Sequence, residues 1–406
     1  MTESRREATT EWIRGAARQE FAAVGARAFS LGGVAKRGHI SKGAVYQRWP
    51  DKTQCIADLI DNDLPAAIQA VGDPWLDPSN DLRDLVLADL ANESNLQELR
   101  FIAECVLAAH DDPTLTQSVL ENLVVLSGIF APRIPDNDHV PAMSWWMVST
   151  WLANALLRTS GYPVPDTFVT HTSDIVADIG NCARVVQQLT FAAGVIESIS
   201  ALTQVEDPGD DTSQALIFAT QQLIEAKGIS EADAREIARS AGMTTGALYR
   251  RFGGKSEVLS AAFRAGLTPD RYGWSDAFLA CVERQDLPAA AEILATHMKK
   301  AWTDTNTARR LIDFTIAAHT DTAILSAIFA EMQRVGDHRT QLFSALIAAG
   351  VIRPDLSPEA LTWLIQVPTV GTRLVASLGF APTDEDLSNL MGAYLVFLAL
   401  RSEDVP

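Results

Sequence analysis

"SKGAVYQRWPDK", residues 41–52, returns later in the chain as "TTGALYRRFGGK", residues 244–255. With Tyr46 set on Tyr249 the two stretches match without a gap. Gly43 falls on Gly246, Ala44 on Ala247, Arg48 on Arg251 and Lys52 on Lys255. Ser41 and Thr244, Val45 and Leu248, Trp49 and Phe252, and Thr53 and Ser256 are conservative pairs. Upstream, the same register puts Val34-Ala35-Lys36 on Ile237-Ala238-Arg239, Gly25 on Gly228, and Ile13 and Ala16 on Leu216 and Ala219. Self-similarity over such a span means one supersecondary unit used twice.

The echo continues downstream with small insertions. "VLAAHDDPTL" (106–115) answers "TIAAHTDTAIL" (315–325), and "SWWMVSTWLANALLRTSGYPVPD" (144–166) answers "TWLIQVPTVGTRLVASLGFAPTD" (362–384). Their shared order makes the whole chain a duplication. "QVEDPGDDTS", 204–213, has the acidic, Pro-Gly character of a linker between the copies.

Both copies read as helix. Leu216, Ala219, Leu223 and Ile224 recur at helical spacing. Gly228 is a helix stop. Asp233, three residues before Glu236, is a capping-box pair, and Ser30 is the matching cap in the first copy. Gly32-Gly33 then weakens the first turn by about 1 kcal/mol per glycine relative to alanine. Strand signals are scarce. Ser41 is expected to cap the short helix in the quoted stretch, and Thr244 or Thr245 its counterpart. That helix ends near Trp49-Pro50 in one copy and Phe252-Gly253-Gly254 in the other. Two short helices joined by a four-residue turn, after a longer one, make a helix-turn-helix.

The pattern small–small–Gly–small–aliphatic–Tyr–x–x–aromatic–x–x–Lys, preceded by Val-Ala or Ile-Ala, resembles the DNA-binding domain of the tetracycline-repressor (TetR) family. The resemblance is specific over residues 12–60 and 215–263. It implies an all-α chain of two tandem TetR-like units. Each has an N-terminal helix-turn-helix domain (1–66 and 214–268) and a C-terminal helical ligand-binding and dimerisation domain (67–203, with a bridging helix, and 269–406). The linker is 204–213.

The family's third helix enters the major groove. This implicates Ser41, Lys42, Gly43, Ala44 and Gln47, and Thr244, Thr245, Gly246, Ala247 and Arg250. The resemblance puts Tyr46 and Tyr249 on phosphate, Trp49 and Phe252 inside, and Lys52 and Lys255 at the fourth helix's N-terminus, where a lysine and free N–H groups hold a phosphate. Arg48 and Arg251 are within reach of phosphate or base edges. There are departures too. Gly32-Gly33 replaces better helix formers, His39 stands where the family has glycine before the turn, and Gly253-Gly254 replaces a Pro-containing link.

Family members dimerise through their last two helices. The matching segments here are about 141–160 with 166–184, and 358–377 with 383–401. One chain holds both pairs, so an intramolecular pseudo-dimer is expected, with a homodimer of the whole chain as the alternative. "VVQQLTFAAGVIESISALTQ", 185–204, has one apolar helical stripe and is expected to bridge the copies. The resemblance also implies a repressor released by a small apolar ligand, with Phe101, Trp145, Met147, Trp151, Phe314, Trp363 and Leu364 as pocket walls. The competing reading is a ligand-binding or scaffold protein of this fold that has lost DNA contact.

The rest of the sequence sets bounds. The chain has 406 residues, 47% of them hydrophobic and 21% charged, and a net charge of −18. That balance is globular and argues against wholesale coating of nucleic acid or an anionic membrane. Arg5 to Lys52 is the exception. Arg5, Arg6, Arg14, Arg18, Arg27, Lys36, Arg37, Lys42, Arg48 and Lys52 face only Glu7, Glu11, Glu20 and Asp51. The second copy's equivalent is barely positive, so the first is expected to carry more of the salt-dependent affinity.

Cys55, Cys105, Cys182 and Cys281 lie too far apart for metal or redox spacing, and reduced thiols in a cytoplasmic protein are expected. The N-terminus lacks a signal peptide's apolar core, and "MGAYLVFLAL" (391–400) is too short to span a membrane. His110 and His319 are helix-end histidines rather than metal ligands. Trp145, Trp146, Trp151 and Trp363 read first as core. Asp136-Asn137-Asp138 and Asp384-Glu385-Asp386 read as loops or helix starts. No phosphate loop, nucleophile elbow or metalloprotease motif is present, so no cofactor, no metal and no enzyme activity are expected.

Overall fold

The computed structural model describes residues 3–134, 140–162, 164–183, 210–227, 229, 232–267, 277–278, 280–281, 284, 286–303, 314, 322–348, 350 and 352–399. Among these there is no strand. Gly228, His319, the acidic run 136–138 and the bridging segment 185–204 lie outside them.

The first copy opens with α1 (Glu3–Ala28), α2 (Leu31–Arg37), α3 (Lys42–Arg48) and α4 (Lys52–Asn62). Local chemistry sets their ends. Ser30 Oγ accepts from Gly33 N, Ser41 Oγ from Ala44 N, and Asp51 from Gln54 N. Each satisfies a backbone donor that has no partner inside the helix. The second copy repeats the plan in α11 (Asp211–Lys227), α12 (Ala234–Ser240), α13 (Thr245–Phe252) and α14 (Lys255–Leu267). Of the two expected cap residues, Thr244 is the one that caps, accepting from Ala247 N. Asp233 caps α12, but Glu236 turns to Arg239 instead of back to the cap, so only half the box forms.

One break is built into α1. Gly25 sits at φ 76°, ψ 165°, a conformation open essentially to glycine alone. The freed N–H of Ala26 goes to the buried Glu104 carboxylate at 2.9 Å. Glu104 also accepts from Arg100 Nε at 3.0 Å, and Arg100 Nη1 reaches Thr159 Oγ1 at 2.5 Å. The head's first helix is thereby fixed to the body through a buried, fully partnered ion pair.

The body of the first copy is α5 (Leu64–Leu76), α6 (Leu82–Ala91), α7 (Glu93–Asp111), α8 (Thr116–Phe130), α9 (Val140–Thr159) and α10 (Asp166–Ala183). Residues 142–157 of α9 are buried on every side, and the polar Ser144, Ser149 and Asn154 among them donate to backbone carbonyls. At its centre Asp89 accepts from the indole N–H groups of Trp75 and Trp151, at 2.8 and 2.9 Å, and from Asn95. Burial pushes its carboxyl up to about 6 despite these three donors. Pro113–Arg133 is long and apolar enough to cross a membrane by length and composition. Its Val119, Leu123, Leu126 and Phe130 are buried, and α8 packs on α5 and α9.

In the second copy the described body helices are α15 (Leu287–Thr303), α16 (Thr322–Ala348), α17 (Pro358–Ala376) and α18 (Asp384–Ala399). The four segments expected to associate do so: α9 lies along α17, and α10 packs on α17 and α18. The α9–α17 crossing is backbone-close, since a Cβ on Gly371 would sit 1.8 Å from the Ser149 carbonyl oxygen. Trp145 Nε1 donates to Phe380 O at 2.8 Å. His110 ends α7 as expected, and its Nε2 donates to Leu374 O at 2.8 Å in the other copy. Asp384 to Asp386 form the first turn of α18, where acidic side chains favour the helix dipole. Cys55, Cys105 and Cys281 are free and buried.

Candidate nucleic-acid interface

The quoted stretches form the two short helices α3 and α13, each anchored by one buried aliphatic. Val45 and Leu248 are fully buried. The opposite faces are open. Ser41, Lys42, Gly43, Tyr46 and Gln47 are exposed in the first head, as are Thr244, Thr245, Gly246, Tyr249, Arg250 and Arg251 in the second. Ala44 and Ala247 are half-buried. Tyr46 is 51% exposed and Tyr249 54%. Large aromatic side chains left equally in solvent at matched positions are not core residues, and no packing in the fold accounts for them. Trp49 is buried and Phe252 half-buried, so tyrosine and aromatic do face opposite ways.

The turns before these helices differ in cost. Gly242 adopts φ 66°, and the matched residue in the first head is His39 at φ 52°. A side chain in the left-handed region costs about 1–2 kcal/mol. His39 is a departure from glycine in the sequence, and the backbone shows why glycine suits the position.

The charges are where the heads diverge. Arg14 pairs with Asp63 at 3.3 Å, Arg18 with Glu98 and Asp63, Arg27 with Asp111 at 3.2 Å, and Arg37 with Glu20 at 2.6 Å. Arg48 pairs with Asp58 at 3.2 Å and lies over the Trp49 ring, whose indole N–H reaches the same carboxylate. Lys52 does not sit free at the N-terminus of α4. Its ammonium donates to the Arg27 carbonyl at 2.9 Å, at the C-terminal end of α1, and burial lowers its pKa. Tallying charge along Arg5–Lys52 therefore misleads. Asp58, Asp63, Glu98 and Asp111 come from outside that segment and neutralise it. Lys36 and Lys42 are exposed and have no partner among the described residues.

The second head keeps more of its cations open. Arg235, Arg250 and Lys255 have no partner among the described residues. Arg239 pairs with Glu236, and Arg251 meets Asp210 at 2.8 Å with both side chains well exposed. Asp58 and Asp210, the carboxylates paired with Arg48 and Arg251, are not singled out by the sequence. Asp58 looked like one acid among many, and Asp210 like part of a linker. Trp12 was missed too. It is 63% exposed, and its indole N–H reaches the Gly38 carbonyl at 3.0 Å, placing it beside the α2–α3 turn.

The apolar residues expected to wall a ligand pocket, four in the first copy and three in the second, have other neighbours in the fold. Phe101 lies edge-on to Phe21 under the Arg18 guanidinium, Trp145 and Trp151 hold Phe380 and Asp89, and Phe314 lies edge-on to Phe263. Met147 and Leu364 are buried, and Trp363 is half-buried. An open cleft of about 430 Å³ is lined instead by Arg48, Trp49, Gln54, Ala57, Asp58 and Asp61, and one of about 220 Å³ by Glu292, Ile293, Thr296, His297 and Lys300.

Comparison with known proteins finds the same two places. The family model for bacterial regulatory proteins of the tetR family matches residues 13–59 and 216–262. Residue 13 falls on 216 and 59 on 262, the register that sets Tyr46 on Tyr249. The chain is 42% identical over 60 residues to the HTH-type transcriptional regulator SrpR of Pseudomonas putida, which covers 15% of this chain and 28% of that protein. It is 41% identical over 59 residues to the uncharacterized HTH-type transcriptional regulator TtgW, also of Pseudomonas putida, covering 14% and 44%. The chain thus spans less than half the length of these relatives. Two helix-turn-helix heads in one register, each matched by the family model, are two tetR-family DNA-binding domains in tandem, and the relatives found are regulators of that family.

Proposed function

We propose that the chain is a cytoplasmic DNA-binding transcriptional regulator that grips one operator with both heads and has no catalytic role. One observation carries this reading. The recognition-helix positions Ser41, Lys42, Gly43, Ala44, Tyr46 and Gln47, and Thr244, Thr245, Gly246, Ala247, Tyr249 and Arg250, repeat one pattern of exposure around one buried aliphatic, with Arg48 and Arg251 in the last turn. Matched heads serve duplex DNA when they meet successive major grooves, about 34–36 Å apart. The heads are 1–66 and 214–268, joined through 204–213 and carried by bodies 67–203 and 269–406.

In this reading the second head takes the part of a family dimer's partner, and the chain acts as its own pseudo-dimer. The packing of α9 on α17 and of α10 on α18 supports this. The resemblance adds that the chain represses and that a small apolar ligand releases it. "SKGAVYQR" and "TTGALYRR" differ, so the operator is asymmetric. A second reading, that the first head has lost its grip, is favoured by the inward turn of Arg48 and Lys52.

Selection from random duplexes followed by footprinting tests both. The expected site has two unlike half-sites in successive major grooves. A perfect palindrome would count against two different readers, a single half-site would favour the second reading, and no enrichment would overturn the function.

A further inference from the structure

Arg251 and Arg48 occupy matched positions in the last turn of their recognition helices, and carboxylates of different origin hold them. Arg48 is bound by Asp58 of the next helix, shared with the Trp49 indole, and packed on the Trp49 ring. The residue matched to Asp58 in the second head is Ala261, which cannot play that part. Arg251 instead meets Asp210, Nη1 to Oδ2 at 2.8 Å, with 42% and 46% of the side chains exposed. Asp210 is itself fixed. Its Oδ1 accepts from Ser213 N at 2.9 Å and its carbonyl from Gln214 N at 3.0 Å, at the start of α11. The Ser213 backbone hydrogen bond holds its carboxyl below the usual carboxylate range, so it is charged at neutral pH.

We propose that Asp210 is a built-in competitor for DNA phosphate at Arg251. The inference rests on the DNA-binding reading. A carboxylate held at the tip of the recognition helix offers Arg251 a charged oxygen acceptor, as a phosphate does. The pair is exposed and weak, so a duplex can break it, and the cost of breaking it is subtracted from affinity. It does not fasten the head together, because the register match of Asp210 in the first copy is Glu7 and the two arginines share no common partner. Asp210 also lies at the end of the connecting segment 204–213. The path of the chain between the copies and the grip of the second head therefore meet at one ion pair.

The test uses the full chain and a fluorescein-labelled pool of random-sequence duplexes, with anisotropy read across a salt series. Asp210→Asn keeps the helix cap, since asparagine caps as well as aspartate, and removes only the charge. It should tighten binding about two- to fivefold. The slope of log affinity against log salt should steepen by up to about 0.9, because Arg251 no longer gives up an internal anion to reach the phosphate. Arg251→Ala should weaken binding, and Asp210→Asn should then add nothing. Asp211→Asn, which removes the neighbouring charge, should change affinity less.

A gain for Asp210→Asn no larger than that for Asp211→Asn overturns the proposal, as does a gain that persists beside Arg251→Ala. A wild-type chain that binds no duplex at low salt overturns the regulator reading and this inference with it. Normal binding with a silent Asp210→Asn overturns this inference alone.

Discussion

In the first head Arg48 is folded back onto Trp49 and Asp58, and Lys52 onto the carbonyl of Arg27. In the second, Arg250 and Lys255 have no partner among the described residues, and Arg251 meets only the exposed Asp210. The third helices start at matched residues and share the capping hydroxyl and the buried aliphatic. Duplication has preserved the shape of the reader and let its charges drift. A head rich in arginine along the sequence can offer few cations at its surface, because acids that arrive through the tertiary fold consume them. The head that looks nearly neutral along the sequence presents more.

The largest effect should separate the heads by charge. Replacing Arg235, Arg250 and Lys255 together with alanine should weaken duplex binding roughly 10²–10³-fold near ~0.1 M salt and flatten the salt slope by about 2.7. Replacing Lys36 and Lys42 should cost roughly 10–10²-fold and flatten the slope by about 1.8. Anisotropy titrations across a salt series decide it, and equal or reversed losses would return the lead to the first head.

Next comes the kink that ties the first head to its body. Gly25→Ala forces a Cβ to 3.0 Å from the Glu104 carboxylate at φ 76°. It should lower the unfolding free energy by about 2–3 kcal/mol. Gly15→Ala, in the same helix with open space at its Cβ, should raise it by about 0.5–1 kcal/mol. Urea unfolding of the two variants gives the contrast, and equal midpoints would show that the kink is not held by Glu104.

The caps should behave alike in both heads. Ser41→Ala and Thr244→Ala each remove one hydrogen bond to a helix N-terminus and should each cost about 1 kcal/mol. Urea midpoints check this, and a cap that mattered in one head only would show that the shared scaffold has drifted too.

The smallest effect concerns the turn. His39→Gly should stabilise the first head by about 0.5–1 kcal/mol and Gly242→Ala should destabilise the second by a similar amount. Thermal melts of the two variants should shift in opposite directions, and a shift in the same direction would mean that His39 is not strained.

What could be read from the sequence were features set by neighbours in the chain. Ser30, Ser41 and Asp233 cap where their spacing says, and Trp49-Pro50 and Gly253 end the third helices. The four associating helices lie within a residue or two of their expected bounds, because an apolar pattern of helical period is local information. Partnership across the fold was not legible. Lys52 opens a helix, which suggests an anion site, yet its ammonium donates to the Arg27 carbonyl, far back in the chain. Pocket walls are illegible for a related reason. A tryptophan lining a cavity and one filling a core have the same neighbours in sequence, and only packing tells Trp145 and Trp151 apart from ligand contacts.

The most direct test is the mass of the protein–duplex complex, measured by light scattering on a selected operator. One 44.0 kDa chain per duplex, with protection across two successive major grooves, is the expected result. Two chains per duplex, each protecting a single groove, would contradict it.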